Sequence, residues 1–170
     1  MDSNLSLTLG FKGQLKLNAQ AVPMQEGYLK LGGIVDATNQ STGLKFGVVV
    51  SAPSTDPTAI VAGAGSGNVI RGISVFDDAI AQNAPAHPDK YLAGMPCAFI
   101  AKGLVKVQSW EATETYQIEP VIGAKVEFDD TTGVIGFTAS NAGSADSSHT
   151  FLTGASVVEV TSDGAYVWLG

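Results

Sequence analysis

Apolar and polar residues alternate through the N-terminal segment. Over residues 5–17 the apolar positions share one parity, and serine, threonine, lysine and glutamine take the other. The apolar set is Leu5, Leu7, Leu9, Phe11, Leu15 and Leu17. A period of two is typical of a β-strand with one apolar face. Lys12-Gly13 could fold this segment into a hairpin, or the segment could be an extended arm that completes a sheet on another molecule.

The most strongly apolar stretch of the chain runs from Ala93 to Val107. Two short apolar runs flank Lys102-Gly103, and Gly94 and Pro96 punctuate the beginning. Two apolar runs separated by a glycine-containing turn predict a β-hairpin. Val105 and Val107 share one face of the second strand, whereas Lys106 points to the other face.

The remainder of the chain repeats short apolar runs between turns rich in glycine, aspartate and proline. Strands are predicted over residues 29–35, 44–50, 69–76, 116–118, 124–128, 134–138, 157–160 and 166–169. Residues 46–50 are apolar on both parities, which predicts a central strand. Residues 51–68 predict a long loop or a weak strand between two loops. Asp77-Asp78 could cap one helical turn, the only helical candidate.

These patterns predict an all-β fold. We expect a compact β-barrel or jelly-roll-like sandwich with an extended N-terminal arm and at most one short helix. Residues 1–30 are expected to form the arm or edge strands, and residues 31–170 the β-barrel or sandwich domain. A length of 170 residues fits this single domain.

The negative net charge limits the classes of molecule that this chain is expected to bind. The net charge is −7, and residues 107–170 carry nine acidic residues against the single basic residue Lys125. An acidic surface repels nucleic acids and anionic membranes. The N-terminus lacks the basic and apolar regions of a secretory signal, and no apolar run is long enough to span a membrane. We therefore expect neither a nucleic-acid nor a membrane partner, and synthesis in a cytoplasm.

Residues with catalytic or metal-binding potential do not form recognisable motifs. His87 and His149 sit in separate polar loops, and neither has a second ligand at metal spacing. Cys97 lies within an apolar run, which favours a buried side chain over a nucleophile. Asp129-Asp130 favours a hairpin turn over a calcium loop. The glycines at 63, 65 and 67 lack the remainder of a phosphate-binding motif, which favours a surface loop. The sequence thus predicts no catalytic residue, metal or cofactor.

Five aromatic residues lie at the edges of predicted elements, namely Phe11, Tyr28, Tyr91, Trp110 and Tyr116. Tryptophan and tyrosine are enriched at binding hot spots, and they also cover the edges of apolar cores. The sequence favours a core position for each of them and leaves an interface role open.

The order of the apolar blocks resembles the structural cement (head decoration) proteins of tailed bacteriophages, from about residue 10 to the end of the chain. The blocks are Phe11-Lys-Gly-Gln14, Leu44-Lys-Phe-Gly-Val-Val49, Val69-Ile-Arg-Gly-Ile-Ser-Val75, Ala98-Phe-Ile-Ala-Lys-Gly-Leu-Val-Lys-Val107, Pro120-Val-Ile-Gly-Ala-Lys-Val-Glu-Phe128, and Leu152-Thr-Gly-Ala155 with Ala165-Tyr-Val-Trp-Leu169. The loops at 51–68 and 139–149 and the acidic C-terminal part depart from the family's pattern.

The resemblance implies a non-enzymatic protein on the outer surface of the phage capsid. Such a protein binds the assembled head and bridges neighbouring subunits of the major capsid protein. It also implies self-association, for which we favour a homotrimer over a dimer. The candidate capsid or subunit contacts are Leu5, Leu7, Leu9, Phe11, Tyr28, Trp110 and Tyr116. Two alternatives are kept: a carbohydrate-binding or tail-associated adhesion module that uses Trp110 and Tyr116, and a hydrolase that uses His87 or His149.

Overall fold

The computed structural model describes residues 21–23, 29–77, 89–111 and 117–170, which form twelve strands and no helix. The strands are β1 (Ala21–Pro23), β2 (Leu29–Val35), β3 (Leu44–Lys45), β4 (Val49–Pro53), β5 (Ala59–Ala62), β6 (Asn68–Ser74), β7 (Lys90–Tyr91), β8 (Pro96–Val107), β9 (Lys125–Asp129), β10 (Ile135–Thr138), β11 (His149–Thr161) and β12 (Gly164–Leu169). The all-β prediction is confirmed. The candidate helical turn falls largely on residues 78–88, outside the described residues.

Five strands close into a barrel in the order β8-β2-β5-β4-β6. The barrel closes because β6 pairs back onto β8, with Ile73 opposite Ile100. All neighbours are antiparallel except β2 and β5, which run parallel. A barrel of five strands is narrow enough for side chains to fill its interior. The expectation of a compact β-barrel is therefore confirmed.

The hairpin predicted within residues 93–107 is wrong, because this stretch forms one continuous strand, β8. Gly103 has a φ of 115°, a conformation that glycine adopts without the steric cost of a side chain. The first half of β8 pairs with β2 and β6, and the second half pairs with β12 and β1. The chain continues straight past Lys102-Gly103 because partners from distant parts of the sequence hold both halves.

The second half of β8 opens a further sheet, which we call the appended sheet. Its order is β8-β12-β11-β9-β10, with every neighbouring pair antiparallel. β1 lies along β8 at Val105–Val107. Beyond β10, bridges join Glu111 to Gly136 and Gln117 to Thr138. The barrel and the appended sheet are thus built on one shared strand.

A second junction joins the two regions at the turn between β9 and β10. The amide of Val49 donates to the carbonyl of Gly133 over 2.8 Å, and the amide of Ala64 donates to that of Asp130 over 2.9 Å. A side chain at Gly63 would stand 2.2 Å from the Asp130 carbonyl oxygen, so the close approach requires glycine there. Gly65 and Gly67 are exposed, as expected for a surface loop, but Gly63 is buried in this junction.

The core is one apolar cluster to which both regions contribute. Phe46, which lies just before β4, is fully buried in this cluster and makes edge-to-face contacts to Tyr91 at 4.9 Å and Phe76 at 5.4 Å between ring centroids. Residues 46–50 are all buried, as their unbroken apolar pattern predicts. β5 confirms the weak strand between two loops within 51–68. Domain bounds at residue 30 stay a prediction, since residues 1–20 and 24–28 are not described.

Candidate functional site

Strand β2 exposes aliphatic side chains on the barrel. Leu29 is 50% exposed, and Leu31 and Ile34 are exposed to nearly the same extent. β2 pairs with β8 along most of its length, whereas β5 begins to pair with it only at Ile34. Single exposed leucines are common, but three large aliphatic side chains exposed on one strand make β2 a candidate contact surface, with Ile34 on the opposite face from Leu31. We call Leu29, Leu31 and Ile34 the β2 surface.

A second set of exposed apolar side chains lies on the appended sheet and the loop before it. Residues Glu119–Gly123 form a tip on which Val121 is 52% and Ile122 is 72% exposed. The amide of Gly123 donates to the carbonyl of Val157 over 2.8 Å and ties the tip to β11. Val158, Val160 and Trp168 are also exposed, on β11 and β12. The barrel and the appended sheet therefore each present apolar surface to solvent.

Among the seven predicted contact residues, only Trp110 lies in the described part of the chain. Its ring packs edge-on against Phe137 at 5.9 Å between centroids, and its Nε1 donates to Glu119 Oε2 over 3.2 Å. Half-buried, it partly covers the core, and its indole N–H is used within the chain. The other six, Leu5, Leu7, Leu9, Phe11, Tyr28 and Tyr116, lie outside the described residues. Tyr91 is a core residue.

Sequence reasoning missed the exposed aliphatic residues. The signal at the tip is Val121-Ile122 between Pro120 and Gly123, two large apolar side chains inside a turn. On β2, two glycines separate Leu31 from Ile34, and Gly32 is itself exposed. From sequence alone, apolar side chains separated by glycines in a strand indicate a core strand. Only the pairing with neighbouring strands shows that these side chains are exposed.

A cluster of polar side chains is buried on the outer face of the appended sheet. Glu127 is fully buried, and its Oε2 accepts a hydrogen bond from the Asp146 amide over 3.3 Å. His149 Nε2 lies 3.6 Å from Glu111 Oε2 and 3.3 Å from Gln117 Nε2, and its Nδ1 lies 3.0 Å from the Ser147 carbonyl oxygen. Loop residues thus cover a sheet face that the strand pattern alone assigns to solvent.

The pKa values of Glu127 and His149 in this cluster are both raised. Burial raises the pKa of Glu127 above its usual range, and the nearby charge of Asp146 adds to this effect. For His149, burial opposes protonation, but the Ser147 carbonyl and the carboxylates of Glu127, Glu111 and Asp129 outweigh it and raise the pKa. The His149 side chain is only 2% exposed, so a dissolved substrate does not reach it.

Other candidates for chemistry have structural roles. Cys97 is buried, and burial raises the pKa of its thiol to about 12, which disfavours the nucleophilic thiolate. Asp129 Oδ1 accepts hydrogen bonds from the amides of Thr131 and Thr132 in the hairpin turn between β9 and β10. Within the described ranges, no three His, Cys, Asp or Glu residues are grouped to hold a metal ion. Nor do these ranges contain a helix with the length and apolar character of a membrane span.

A comparison with protein families shows the family to which the chain belongs. The family model described as "Structural cement protein (E217 gp24/Pam3 gp6)" matches residues 2–169. The chain belongs to this family of phage structural cement proteins. The resemblance found in the apolar blocks is thereby confirmed. No curated protein gave a match to the chain.

Family membership allows the exposed surfaces of this cement protein to be interpreted as contact surfaces. It is a structural protein of the phage virion and is associated with the capsid. A structural role needs surfaces that contact neighbouring proteins, which the barrel and the appended sheet both offer. The β2 surface and the exposed tip are consequently the main candidate contact sites in the described residues.

Proposed function

We propose that this cement protein binds the outer face of the assembled phage head and bridges neighbouring subunits of the major capsid protein. The bridge is non-enzymatic, and the protein acts as a homotrimer that stabilises the shell. The observation that carries the proposal is the match to the cement protein family over residues 2–169. The exposed apolar groups on two different regions of the fold support it.

Bridging requires at least two contact surfaces on one rigid body. The β2 surface lies on the barrel, and the tip lies beside the appended sheet, while one apolar core joins the two regions. A specific interface usually buries about 1,600 Å² in total. Once one contact has formed, the second forms at a high effective concentration, so a modest interface suffices for each.

The N-terminal segment supplies a further contact in this proposal. Residues 1–20 precede β1, which pairs with β8 at Val105–Val107. Strand addition to an edge of the capsid protein would use the backbone of residues 5–17 for hydrogen bonds. The side chains of Leu5, Leu7, Leu9 and Phe11 would then give specificity. Tyr28, Trp110 and Tyr116 are the proposed aromatic contacts.

The test is binding of the purified protein to capsids of its own phage that lack it. We expect saturable binding by the full chain and loss of binding when residues 1–18 are removed. Leu31→Ser should weaken binding about tenfold, because truncating an interface anchor costs more than about 1 kcal/mol. Val69→Ser is the matched control, since Val69 is an equally exposed aliphatic residue on the barrel, in β6. Absence of binding by the full-length protein would overturn the proposed function.

A further inference from the structure

Arg71 is the only arginine in the chain, and a β-bulge sets its position in β6. Opposite β4, Ile70 pairs with Ser51 and Gly72 pairs with Val50, so Arg71 is the extra residue between them. A bulge bends its strand and redirects the side chain of the inserted residue. Arg71 is therefore placed by an irregularity of the barrel, as expected of a functional side chain.

Gly72 secures this irregularity. A Cβ atom at this position would stand 2.0 Å from the carbonyl oxygen of Ile100, and its φ is 145°. Only glycine allows β6 to lie so close to β8 at that point. The position of the neighbouring Arg71 is therefore determined by backbone packing.

Arg71 lines a groove of about 340 Å³ between the barrel and the appended sheet. The opposite wall comes from β11 and the end of the chain and includes Thr150, Phe151, Leu152 and Leu169. Arg71 Nε is buried and has no hydrogen-bond partner in the structure. In a chain with sixteen acidic residues, its only arginine faces a groove that no aspartate or glutamate side chain lines, and the last residue, Gly170, also lies there.

The chemistry of the groove indicates its ligand. A guanidinium group presents a planar fork of donors that matches a carboxylate. The apolar side chains of Phe151 and Leu169 suit an aliphatic group next to that carboxylate. The groove therefore fits a short segment that carries an acidic and a large aliphatic residue close together.

The tip Glu119–Gly123 has this chemistry. Ile122 and Val121 are the most exposed large apolar side chains among the described residues. Glu119 lies at the base of the tip, where its Oε2 accepts a hydrogen bond from Trp110 Nε1, and a carboxylate has capacity for further donors. Hydrogen bonds from Gly123 and from Ala124, whose amide donates to the Val121 carbonyl over 2.9 Å, hold the tip in shape. A preformed loop loses little entropy on binding.

We propose that the Arg71 groove binds the tip of a second copy of this chain, with Glu119 on Arg71 and Ile122 against Phe151 and Leu169. This inference rests on the self-association in the proposed function. The groove and the tip share no residue, so the contact is heterologous. Heterologous contacts close into rings, whereas a twofold dimer joins one patch to itself. The pairing therefore favours the trimer over the dimer.

The experiment is sedimentation equilibrium of the full-length protein and matched variants. Wild type is expected to be a trimer, and Arg71→Met and Ile122→Ser should each raise the dissociation constant at least tenfold. Arg71→Glu should abolish association, and Arg71→Glu combined with Glu119→Arg should restore it. Lys45→Met and Val69→Ser are the controls for loss of an exposed positive charge and of an exposed aliphatic group. Arg71→Met should melt no lower than wild type as a monomer, since its Nε has no partner to lose.

Two results would overturn the inference while leaving capsid binding intact. One is a wild-type protein that binds capsids but stays monomeric at all concentrations. The other is an Arg71→Met trimer as tight as wild type, and if that variant no longer bound capsids, the groove would take a carboxylate of the capsid protein instead. Conversely, a wild-type trimer that needs Arg71 but binds no capsid would support the groove contact and contradict capsid bridging.

Discussion

The barrel and the appended sheet share one strand and one apolar core, but they differ in the polarity of the side chains that they bury. In the barrel, the fully buried side chains are almost all apolar, and Gly63 and Gly72 bring backbones into close contact. In the appended sheet, the face away from the core carries Glu127 and His149, which loop residues cover. The barrel buries mostly apolar groups together with the hydroxyls of Ser51 and Ser74, whereas the appended sheet also buries a carboxyl and an imidazole.

This difference has consequences for stability. Apolar burial and backbone approach do not depend on pH over the physiological range, whereas a buried carboxyl and a buried imidazole do. The shared strand β8 and the hydrogen bonds from Val49 and Ala64 to the β9–β10 turn couple the regions. We therefore expect one cooperative unfolding unit whose pH dependence originates mostly in the appended sheet.

The largest expected effect tests whether the two regions unfold together. Phe46 in the barrel and Phe137 in the appended sheet are both fully buried. Phe46→Ala and Phe137→Ala should each lower the free energy of unfolding by about 3–5 kcal/mol, through lost transfer energy and the cavity left behind. Calorimetry should show a single transition in both variants. Two separate transitions in either variant would show that the regions are independent.

A smaller effect tests the closure of the barrel at Gly72. Gly72→Ala should cost about 2–4 kcal/mol, because the new methyl group collides with the Ile100 carbonyl and the φ of 145° is strained for alanine. Gly67→Ala is the control, since its φ of 77° is also unfavourable but no atom lies within 4 Å of the added Cβ. It should cost about 1 kcal/mol. Equal costs in urea unfolding would mean that the close approach to β8 contributes nothing.

The smallest expected effect tests whether the pH dependence of stability originates in the appended sheet. The raised pKa values of Glu127 and His149 mean that the folded state holds their protons more tightly than the unfolded chain. Their contribution to stability is therefore fully present below the ordinary pKa values of 4.5 for Glu127 and 6.5 for His149, and it is lost as the pH rises through the higher folded-state pKa values. Glu127→Gln should thus raise stability by about 1 kcal/mol at pH 8 and flatten the pH profile.

The matched control for this experiment is Glu159→Gln, since Glu159 is an exposed acid on the neighbouring strand β11. It should leave the melting temperature and its pH profile close to those of wild type. The core variant Phe46→Ala should give a curve parallel to wild type between pH 5 and 8. A Glu127→Gln protein that melts lower than wild type at pH 8 would show that the ionised carboxylate stabilises the cluster.

Some features followed from local pattern. Residues 46–50 are apolar on both parities and are buried, and Asp129 begins the predicted hairpin turn, where its carboxylate caps Thr131 and Thr132. Alternation also placed Val126 and Phe128 correctly on the core face of β9. These predictions depend on neighbours close in sequence, which explains why they succeed.

Other features depend on partners far along the chain. Lys102-Gly103 has the signature of a turn, yet it lies inside β8 because β2, β6 and β12 hold the strand on both sides. Lys106 points away from the core as predicted but is buried, where its ammonium group pairs with Asp163 and lies over the Tyr166 ring. Glu127 likewise points away from the core and is buried, because loop residues cover it. No local pattern distinguishes a solvent face from a face that a loop covers.

By itself, the sequence determined the all-β class, most strand positions, the acidic C-terminal part and the order of blocks that marks a phage cement protein. These properties reside in composition and in periods of two, which a chain carries wherever it folds. The tertiary structure alone decided the barrel closure, the continuity of β8, the buried Glu127–His149 cluster and the groove that contains Arg71. Each of these arises where segments distant in sequence meet, and their pairing is fixed by the combined packing of the whole chain.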